Sequence, residues 1–173
     1  MLEIGMICAE AGEKIARVSA NIAMAADMEV RASSTATTGA YSSACQRGLP
    51  AILMERGGGG RFTDSEVQAY KRDVKNIMIR MGLLFGEEVH TVQQKNVTRA
   101  EYLEAETDGL WYPVFSAGDT FAGGAVLGTV RDIWGNLLRE YRADYPGIIL
   151  YQTVGLGVKT GDPLIAYGEY ADR

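Results

Sequence analysis

The feature that most constrains the fold is a short apolar run that glycines bound on both sides. Gly48 precedes the run Leu49–Met54, and Glu55 and the glycines Gly57–Gly60 follow it closely. Continuous apolar runs of this length are typical of strands that are buried on both faces, as in parallel sheets. The segment Thr63–Glu66 then fits a capping box, which marks the first turn of a helix. The sequence therefore predicts a buried strand, a glycine turn and a helix in succession.

Helical and extended patterns also alternate before this segment. An apolar stripe at helical spacing predicts a helix over about residues 10–26; its members are Ile15, Val18, Ile22 and Ala25. Met28–Ala32 predicts a short strand. Thr35–Arg47 predicts a helix of small residues that Gly48 ends at its C′ position.

The helix that follows the capping box has the clearest periodicity and is predicted to end near Gly82. Its predicted apolar face consists of Val67, Tyr70, Val74, Ile77, Met78 and Met81. Helices that alternate with strands indicate an α/β domain over residues 1–90, with a partial parallel-type sheet and crossover helices.

The pattern changes in residues 91–173, where glycines separate short β-prone segments and only Leu137–Tyr145 is ambiguous. Segments that begin at Gly109 and Gly147 resemble each other, and Gly124–Val130 aligns with Gly161–Tyr167. Two similar units predict a small all-β barrel or sandwich domain with pseudo-twofold symmetry, which resembles biotinyl/lipoyl-type barrels. Those carriers need a lysine at a hairpin tip between the repeats. Here no lysine occurs between Lys95 and Lys159, so a carrier function is not expected.

Composition excludes several classes of protein. The chain has 173 residues and a net charge of −5, and its basic residues form no stripe that would bind nucleic acid. No stretch approaches the roughly 20 apolar residues of a membrane span. With two cysteines and no signal peptide pattern, the expected location is the reducing cytoplasm. One histidine, His90, means that no site built on several imidazoles can come from this chain alone.

Glu55 is the candidate catalytic residue. It lies at the carboxyl end of the predicted buried strand, where ligands and catalytic groups gather in open α/β sheets. A carboxylate half-sheltered there suits a general base, although a structural glutamate paired with Arg56 or Arg61 remains the alternative. The glycines Gly57–Gly60 lead into a helix N-terminus, which can hold an anion but lacks both the P-loop and the dinucleotide-binding spacing. His90 is expected at the surface and Cys45 as a buried structural thiol.

The segment from Gly48 to Glu55 and the glycines after it resemble the Gly-Ile-Pro-Ala-x-x-x-Glu-x-Gly-Gly segment of the succinylglutamate desuccinylase/aspartoacylase family. The resemblance continues to Leu83 and through the glycine rhythm of Gly109–Gly124. It implies a fold related to zinc carboxypeptidases and a zinc-dependent amidohydrolase that cleaves N-acyl amino acids. In such a mechanism the glutamate matching Glu55 takes a proton from zinc-bound water and returns it to the departing amine.

The sequence also departs from the family pattern. The family's zinc ligands, a His-x-x-Glu motif and a later histidine, are missing, so the chain resembles only the carboxyl-terminal part of such an enzyme and is expected to be inactive alone. The family holds a substrate carboxylate with an arginine near this strand, and Arg47 and Arg61 are the candidates. The expected partners are an N-acyl amino acid and either further copies of the chain or a complementing amino-terminal half.

Two other functions stay open from the sequence. The chain could be a non-catalytic module for binding or oligomerisation. It could also be an α/β domain that binds an anion or a nucleotide with the loop Gly57–Gly60.

Overall fold

The computed structural model describes residues 3–8, 12–35 and 37–170. The chain divides into two compact units, Met1–Val97 and Thr98–Arg173, where the sequence predicts a boundary between residues 90 and 91. Each unit is described by itself. Within the described residues, no helix is long and apolar enough to cross a membrane.

The first unit alternates strands and helices as predicted. Its elements are β1 (Ile4–Cys8), α1 (Glu13–Ala25), β2 (Val30–Ser34), α2 (Ala40–Gln46), β3 (Ile52–Glu55), α3 (Asp64–Arg80) and the start of β4 (Lys95–Glu104). β1 and β2 are parallel and α1 connects them, and β2 is parallel to the first residues of β4. The parallel sheet with a crossover helix is therefore present, and β1 is a strand that the sequence did not predict.

The prediction for the run Leu49–Met54 is wrong in two respects. β3 is antiparallel to β1, with Glu55 opposite Ile4, and it is the edge strand in this order of described strands. Its residues are half-buried rather than buried on both faces, and Leu49 is exposed. An edge strand has a neighbour on one side only, so its apolar side chains stay partly open to water.

Local signals located the C-terminus of α2 and the N-terminus of α3 correctly, whereas α2 begins at Ala40 rather than at the predicted Thr35. Thr63 caps α3, and Glu66 completes the capping box with its side chain on the Thr63 N–H. Gly48 follows the end of α2 with a φ of +85°, a left-handed conformation that glycine adopts without strain. α1 also buries Ile22 and Ala25 as expected.

The predicted apolar face of α3 is only partly correct, since Val67, Tyr70 and Ile77 are half-buried. The buried side chains of this helix are Ala69, Asp73 and Asn76, whereas Val74, Met78 and Met81 are exposed. Asn76 explains part of the difference, because its amide bonds the Val89 N–H and C=O at 3.0 and 2.8 Å. The helix thus packs through a polar stripe whose hydrogen bonds are satisfied.

The second unit, as far as residue 170, contains strands and no helix. They are the remainder of β4, β5 (Gly109–Pro113), β6 (Thr120–Phe121), β7 (Val126–Arg131), β8 (Leu137–Arg142), β9 (Gly147–Gln152), β10 (Gly157–Val158) and β11 (Pro163–Tyr170). The ambiguous stretch that begins at Leu137 is therefore a strand. These strands form two sheets, in the orders β4-β11-β9-β6 and β8-β7-β5-β10. No closed barrel is found in the part of the chain that the structure describes, so the predicted barrel is not confirmed.

The internal repeat has a structural counterpart in this unit. Strands β4 to β7 correspond in order to β8 to β11, and each sheet combines strands from both repeats. The two repeated glycines have the same role, since each opens a strand in close contact with backbone. A Cβ at Gly109 would lie 2.7 Å from the Arg131 carbonyl oxygen, and one at Gly147 would overlap the Gly168 carbonyl oxygen. Glycine is required at both positions.

One apolar core serves both sheets of the second unit. Its members include Trp111, Leu127 and Tyr141 from one sheet and Phe121, Ile149, Leu164 and Tyr167 from the other. The Trp111 and Tyr141 rings meet edge to face with centroids 5.7 Å apart, a favourable arrangement for aromatic pairs.

Candidate functional site

Glu55 is the last residue of β3, and a closed glycine turn follows it. Gly57, Gly59 and Gly60 have φ values of +77°, +59° and +70°. The Arg61 N–H donates to the Gly58 carbonyl at 3.1 Å, which closes the turn. A Cβ at Gly57 would lie 2.9 Å from the Arg61 carbonyl oxygen, so a larger residue would force this turn open. The turn therefore fixes where the chain leaves the strand after Glu55.

Glu55 itself is exposed, so the expected shelter around its carboxylate is absent among the described residues. The cause lies in the alternation of side chains along a strand. Arg56 points inward, with 1% of its side chain exposed, and the preceding Glu55 therefore points outward.

Arg56 anchors the end of β3 beneath the site. Its Nε and Nη2 donate to Asp73 Oδ2 at 2.9 and 2.7 Å, and Nη2 also donates to the Asp27 carbonyl oxygen at 2.8 Å. Its Nη1 pairs with Glu3. Burial lowers the pKa of Arg56, but the hydrogen bonds to Asp73 and Glu3 outweigh it and raise the pKa above its ordinary value. Arg56 is thus a buried cation that connects β3, α3 and the turn before β2.

Asp27 extends this network to the segment after α3. Its carboxylate is fully buried and accepts hydrogen bonds from the Thr91 N–H at 2.7 Å, the Val92 N–H at 3.1 Å and Arg72 Nε at 3.1 Å. Burial raises the pKa of Asp27, but the bonds from Thr91 and Val92 and the charge of Arg72 lower it below the ordinary value. Sequence reasoning missed this network. The sequence contained one signal for the network, because Asp73 places a charge within the predicted helix between Tyr70 and Ile77.

Arg47 and Arg61, the predicted substrate-binding residues, are both exposed. Arg47 caps the C-terminus of α2, where its N–H donates to the Ala44 carbonyl at 3.1 Å and the Gly48 N–H donates to the Cys45 carbonyl at 3.0 Å. Arg61 lies at the other end of the glycine turn from Glu55. The structure places Glu55 and Arg61 on one strand–turn–helix segment. Substrate binding by either arginine stays a prediction.

The N-terminus of α3 is already occupied by side chains of the helix itself. The Glu66 N–H donates to Thr63 Oγ1 at 3.3 Å, and Glu66 Oε2 accepts from the Thr63 N–H at 2.7 Å. An anion held by Gly57–Gly60 would meet the Glu66 carboxylate at this end of the helix. Like charges repel, so this geometry disfavours the anion- or nucleotide-binding alternative.

The described residues do not fit the zinc ion that the family resemblance implies. His90 is exposed and its Nε2 lies 3.0 Å from Glu88 Oε2, while Arg80 also binds Glu88. Cys45 is buried, and its thiol donates to the Ala51 carbonyl at 3.5 Å. Residues 3–8, 12–35 and 37–170 contain no group of three or more potential ligands that could hold a metal ion. A catalytic zinc usually needs three protein ligands.

Comparison with solved structures identifies the fold. The product-bound ectoine utilization protein EutE of Ruegeria pomeroyi matches 97% of this chain and 53% of its own, with a TM-score of 0.86 and 21% identity. A succinylglutamate desuccinylase/aspartoacylase of Rhodobacter sphaeroides matches 99% of this chain and 55% of its own, with a TM-score of 0.83 and 20% identity. The fold is that of the succinylglutamate desuccinylase/aspartoacylase family.

A curated protein supports the same relationship in sequence. The N-alpha-acetyl-L-2,4-diaminobutyric acid deacetylase of Halomonas elongata is 27% identical over 127 residues, which cover 70% of this chain and 37% of that protein. No protein-family model matches the sequence. The chain spans about half the length of these desuccinylase/aspartoacylase structures, which is consistent with the predicted match to their carboxyl-terminal part.

Proposed function

We propose that this chain carries the proton-transfer carboxylate of an N-acyl amino acid deacylase and that Glu55 is this carboxylate. The observation that carries the proposal is the position of Glu55. It lies exposed at the end of β3, immediately before a closed glycine turn, in a fold shared with family members over 97% and 99% of the chain.

In the proposed reaction Glu55 moves one proton twice. Its carboxylate accepts a proton from a water molecule while the water oxygen attacks the carbonyl carbon of the amide. The C–N bond of the resulting tetrahedral intermediate then breaks, and Glu55 returns the proton to the departing amine. One amide and one water give a carboxylic acid and an amino acid, and Glu55 ends in its starting form.

The proposed substrate class is a small N-acylated amino acid. The Halomonas elongata relative is named for N-alpha-acetyl-L-2,4-diaminobutyric acid, so this compound is the first substrate to test. We assign the substrate carboxylate to Arg47 or Arg61, because both are exposed cations close to Glu55 in the sequence, eight residues before it and six residues after it.

We further propose that any zinc ligands come from polypeptide other than the described residues, in a complementing amino-terminal half or another chain. The chain alone is then expected to hold no stoichiometric zinc and to have no deacylase activity. The test is elemental analysis and amine release on the purified chain. One zinc per chain with metal-dependent activity would contradict this part of the proposal.

The role of Glu55 is tested by Glu55→Gln, with Glu87→Gln as a matched control at another exposed glutamate. Both are assayed with N-alpha-acetyl-L-2,4-diaminobutyrate after co-expression with the amino-terminal part of the Halomonas elongata relative. Loss of acid–base assistance predicts a fall in kcat of about 10²–10⁴ for Glu55→Gln and an unchanged rate for the control. Turnover of Glu55→Gln within a few-fold of the unmodified chain would remove Glu55 from the mechanism.

A second candidate function is an interaction module, and the outer face of the first unit favours it. Met81, Leu83 and Phe85 are 52%, 68% and 101% exposed, and they continue the exposed apolar stripe of α3. Exposed apolar patches of this kind mark contact surfaces. We propose self-association or docking of an amino-terminal half there, and a chain that sediments as a monomer with and without that half would contradict it.

A further inference from the structure

One edge of β3 has no strand beside it in the described sheet. β1 pairs with the other edge and places Ile4 opposite Glu55. Unpaired backbone groups at an edge need another partner, or the strand end can move.

The Tyr70 hydroxyl supplies that partner on both sides of Glu55. It donates a hydrogen bond to the Met54 carbonyl oxygen at 3.1 Å and accepts one from the Arg56 N–H at 3.0 Å. These two peptide groups directly flank Glu55. A single side-chain hydroxyl therefore makes the two contacts that a neighbouring strand would make.

Asp73 of α3 and Arg56 together hold the Tyr70 ring in place. Asp73, one turn after Tyr70 on the same helix face, binds the Arg56 side chain, and the Arg56 guanidinium lies 5.7 Å from the centroid of the Tyr70 ring. α3 thus holds the end of β3 in two ways. The Tyr70 side chain bonds the strand backbone, and the Asp73 side chain binds the Arg56 side chain. The capping box at Thr63 fixes where this helix begins.

We infer that Tyr70 is the positioning residue for Glu55, because its hydroxyl fixes the backbone from which the Glu55 carboxylate projects. The inference rests on the proposed function, in which that carboxylate moves the proton. Proton transfer depends steeply on placement, so a mobile Glu55 would react more slowly while substrate binding stayed the same. Tyr70 contacts no reacting atom and acts only through the backbone of Glu55.

The test is amide hydrogen exchange, measured by NMR on the full chain for the unmodified protein, Tyr70→Phe and the control Tyr112→Phe. Phenylalanine keeps the ring and removes only the hydroxyl. Loss of a net hydrogen bond predicts that the Arg56 amide exchanges at least about tenfold faster in Tyr70→Phe. Tyr112 is exposed in the second unit, so its variant should leave Arg56 unchanged. The Val67 amide, which donates to the Thr63 carbonyl at 3.1 Å, reports whether α3 stays folded.

Each outcome decides the inference. If the Arg56 amide of the unmodified chain exchanges as fast as the amide of an unstructured peptide, the inference is overturned, even if Tyr70→Phe does not fold. Equal exchange in the unmodified chain and in Tyr70→Phe also overturns it. Faster exchange confined to the end of β3 supports it.

Kinetics in the complemented preparation separate this inference from the proposed function. Tyr70→Phe should lower kcat by about tenfold and leave KM unchanged when turnover is expressed per folded molecule, with the Val67 amide reporting the folded fraction. If Glu55→Gln is harmless, the proposed function fails while the exchange result for the strand end stands. If Glu55→Gln abolishes turnover and Tyr70→Phe does not change it, the positioning role fails and the proposed function stands.

Discussion

Replacing Arg56 by methionine removes a buried cation and leaves its partners in place. The side chains of Arg56 and Asp73 are 1% and 0% exposed, so water cannot solvate the Asp73 charge once Arg56 is gone. Methionine keeps much of the apolar stem volume, so the change tests the charge and its hydrogen bonds more than the packing.

The magnitude follows from the buried pair. Removing one partner of a buried ion pair costs about 3–5 kcal/mol, because an uncompensated charge stays in a poorly solvated site. Asp73 keeps one hydrogen bond, from the Asp27 N–H at 2.8 Å, which limits the loss. Adding Asp73→Asn removes the orphaned charge and keeps an oxygen for Asp27. We therefore expect the double variant to be more stable than the sum of the single changes by about 2 kcal/mol.

The distribution of probes allows the first unit to be followed separately. Within the described residues the helices α1, α2 and α3 all lie in the first unit, and both tryptophans, Trp111 and Trp134, lie in the second. In urea titrations, far-UV circular dichroism at the helical band reports the first unit and tryptophan fluorescence reports the second. Arg56→Met should shift the helical transition to lower urea concentration.

Arg139→Met is the matched control for this prediction. Arg139 binds Glu106 at 2.9 Å, but the two side chains are 52% and 57% exposed. Exposed pairs contribute about 0–1 kcal/mol, so this variant should resemble the unmodified chain. A loss below about 1 kcal/mol for Arg56→Met would refute the view that a buried cation anchors the end of β3.

Two further predictions concern a close backbone contact and an ion pair. Gly147→Ala should destabilise the second unit by about 1–3 kcal/mol in the fluorescence transition, because its Cβ would overlap the Gly168 carbonyl oxygen. The control Gly157→Ala, which has open space around it, should change stability little. Equal stabilities of the two variants would contradict the overlap. Arg80 lowers the pKa of Glu88 to about 2, so this pair stabilises the fold above the ordinary pKa of 4.5 and the contribution is lost as the pH falls towards 2. Glu88→Gln should therefore cost about 1 kcal/mol at neutral pH and progressively less in acid, as measured by urea titration at each pH; a difference independent of pH would show that this pair contributes nothing.

Local chemistry made the C-terminus of α2 and the N-terminus of α3 predictable from the sequence. Thr63 and Glu66 satisfy each other within one turn, and Gly48 adopts its left-handed conformation whatever surrounds it. The repeated glycines Gly109 and Gly147 were also informative, since the same backbone contact requires glycine in both copies.

Long-range pairing made the rest unpredictable. The direction of β3 depends on β1, and the pattern of residues 4–8 gave no separate signal for a strand. The buried face of α3 follows Asp73 because Arg56, 17 residues earlier, neutralises it. Neither residue alone reveals that pairing. The position of Glu55 at a strand end was predictable because an apolar run and a glycine run bound it, whereas its exposure depends on which way Arg56 turns.

Each sheet of the second unit combines strands from both repeats, so the order in which the chain is synthesised affects when these sheets can form. β6 of the first repeat pairs with β9 of the second, β10 of the second pairs with β5 of the first, and β4 lies beside β11. Each sheet of the second unit therefore needs strands from both ends of that unit. Contacts of such sequence separation slow folding, because a long loop must close before any of them forms. During translation the parallel strands of the first unit are complete once Val97 has emerged, whereas the sheet in which β11 lies between β4 and β9 is completed only when β11 leaves the ribosome.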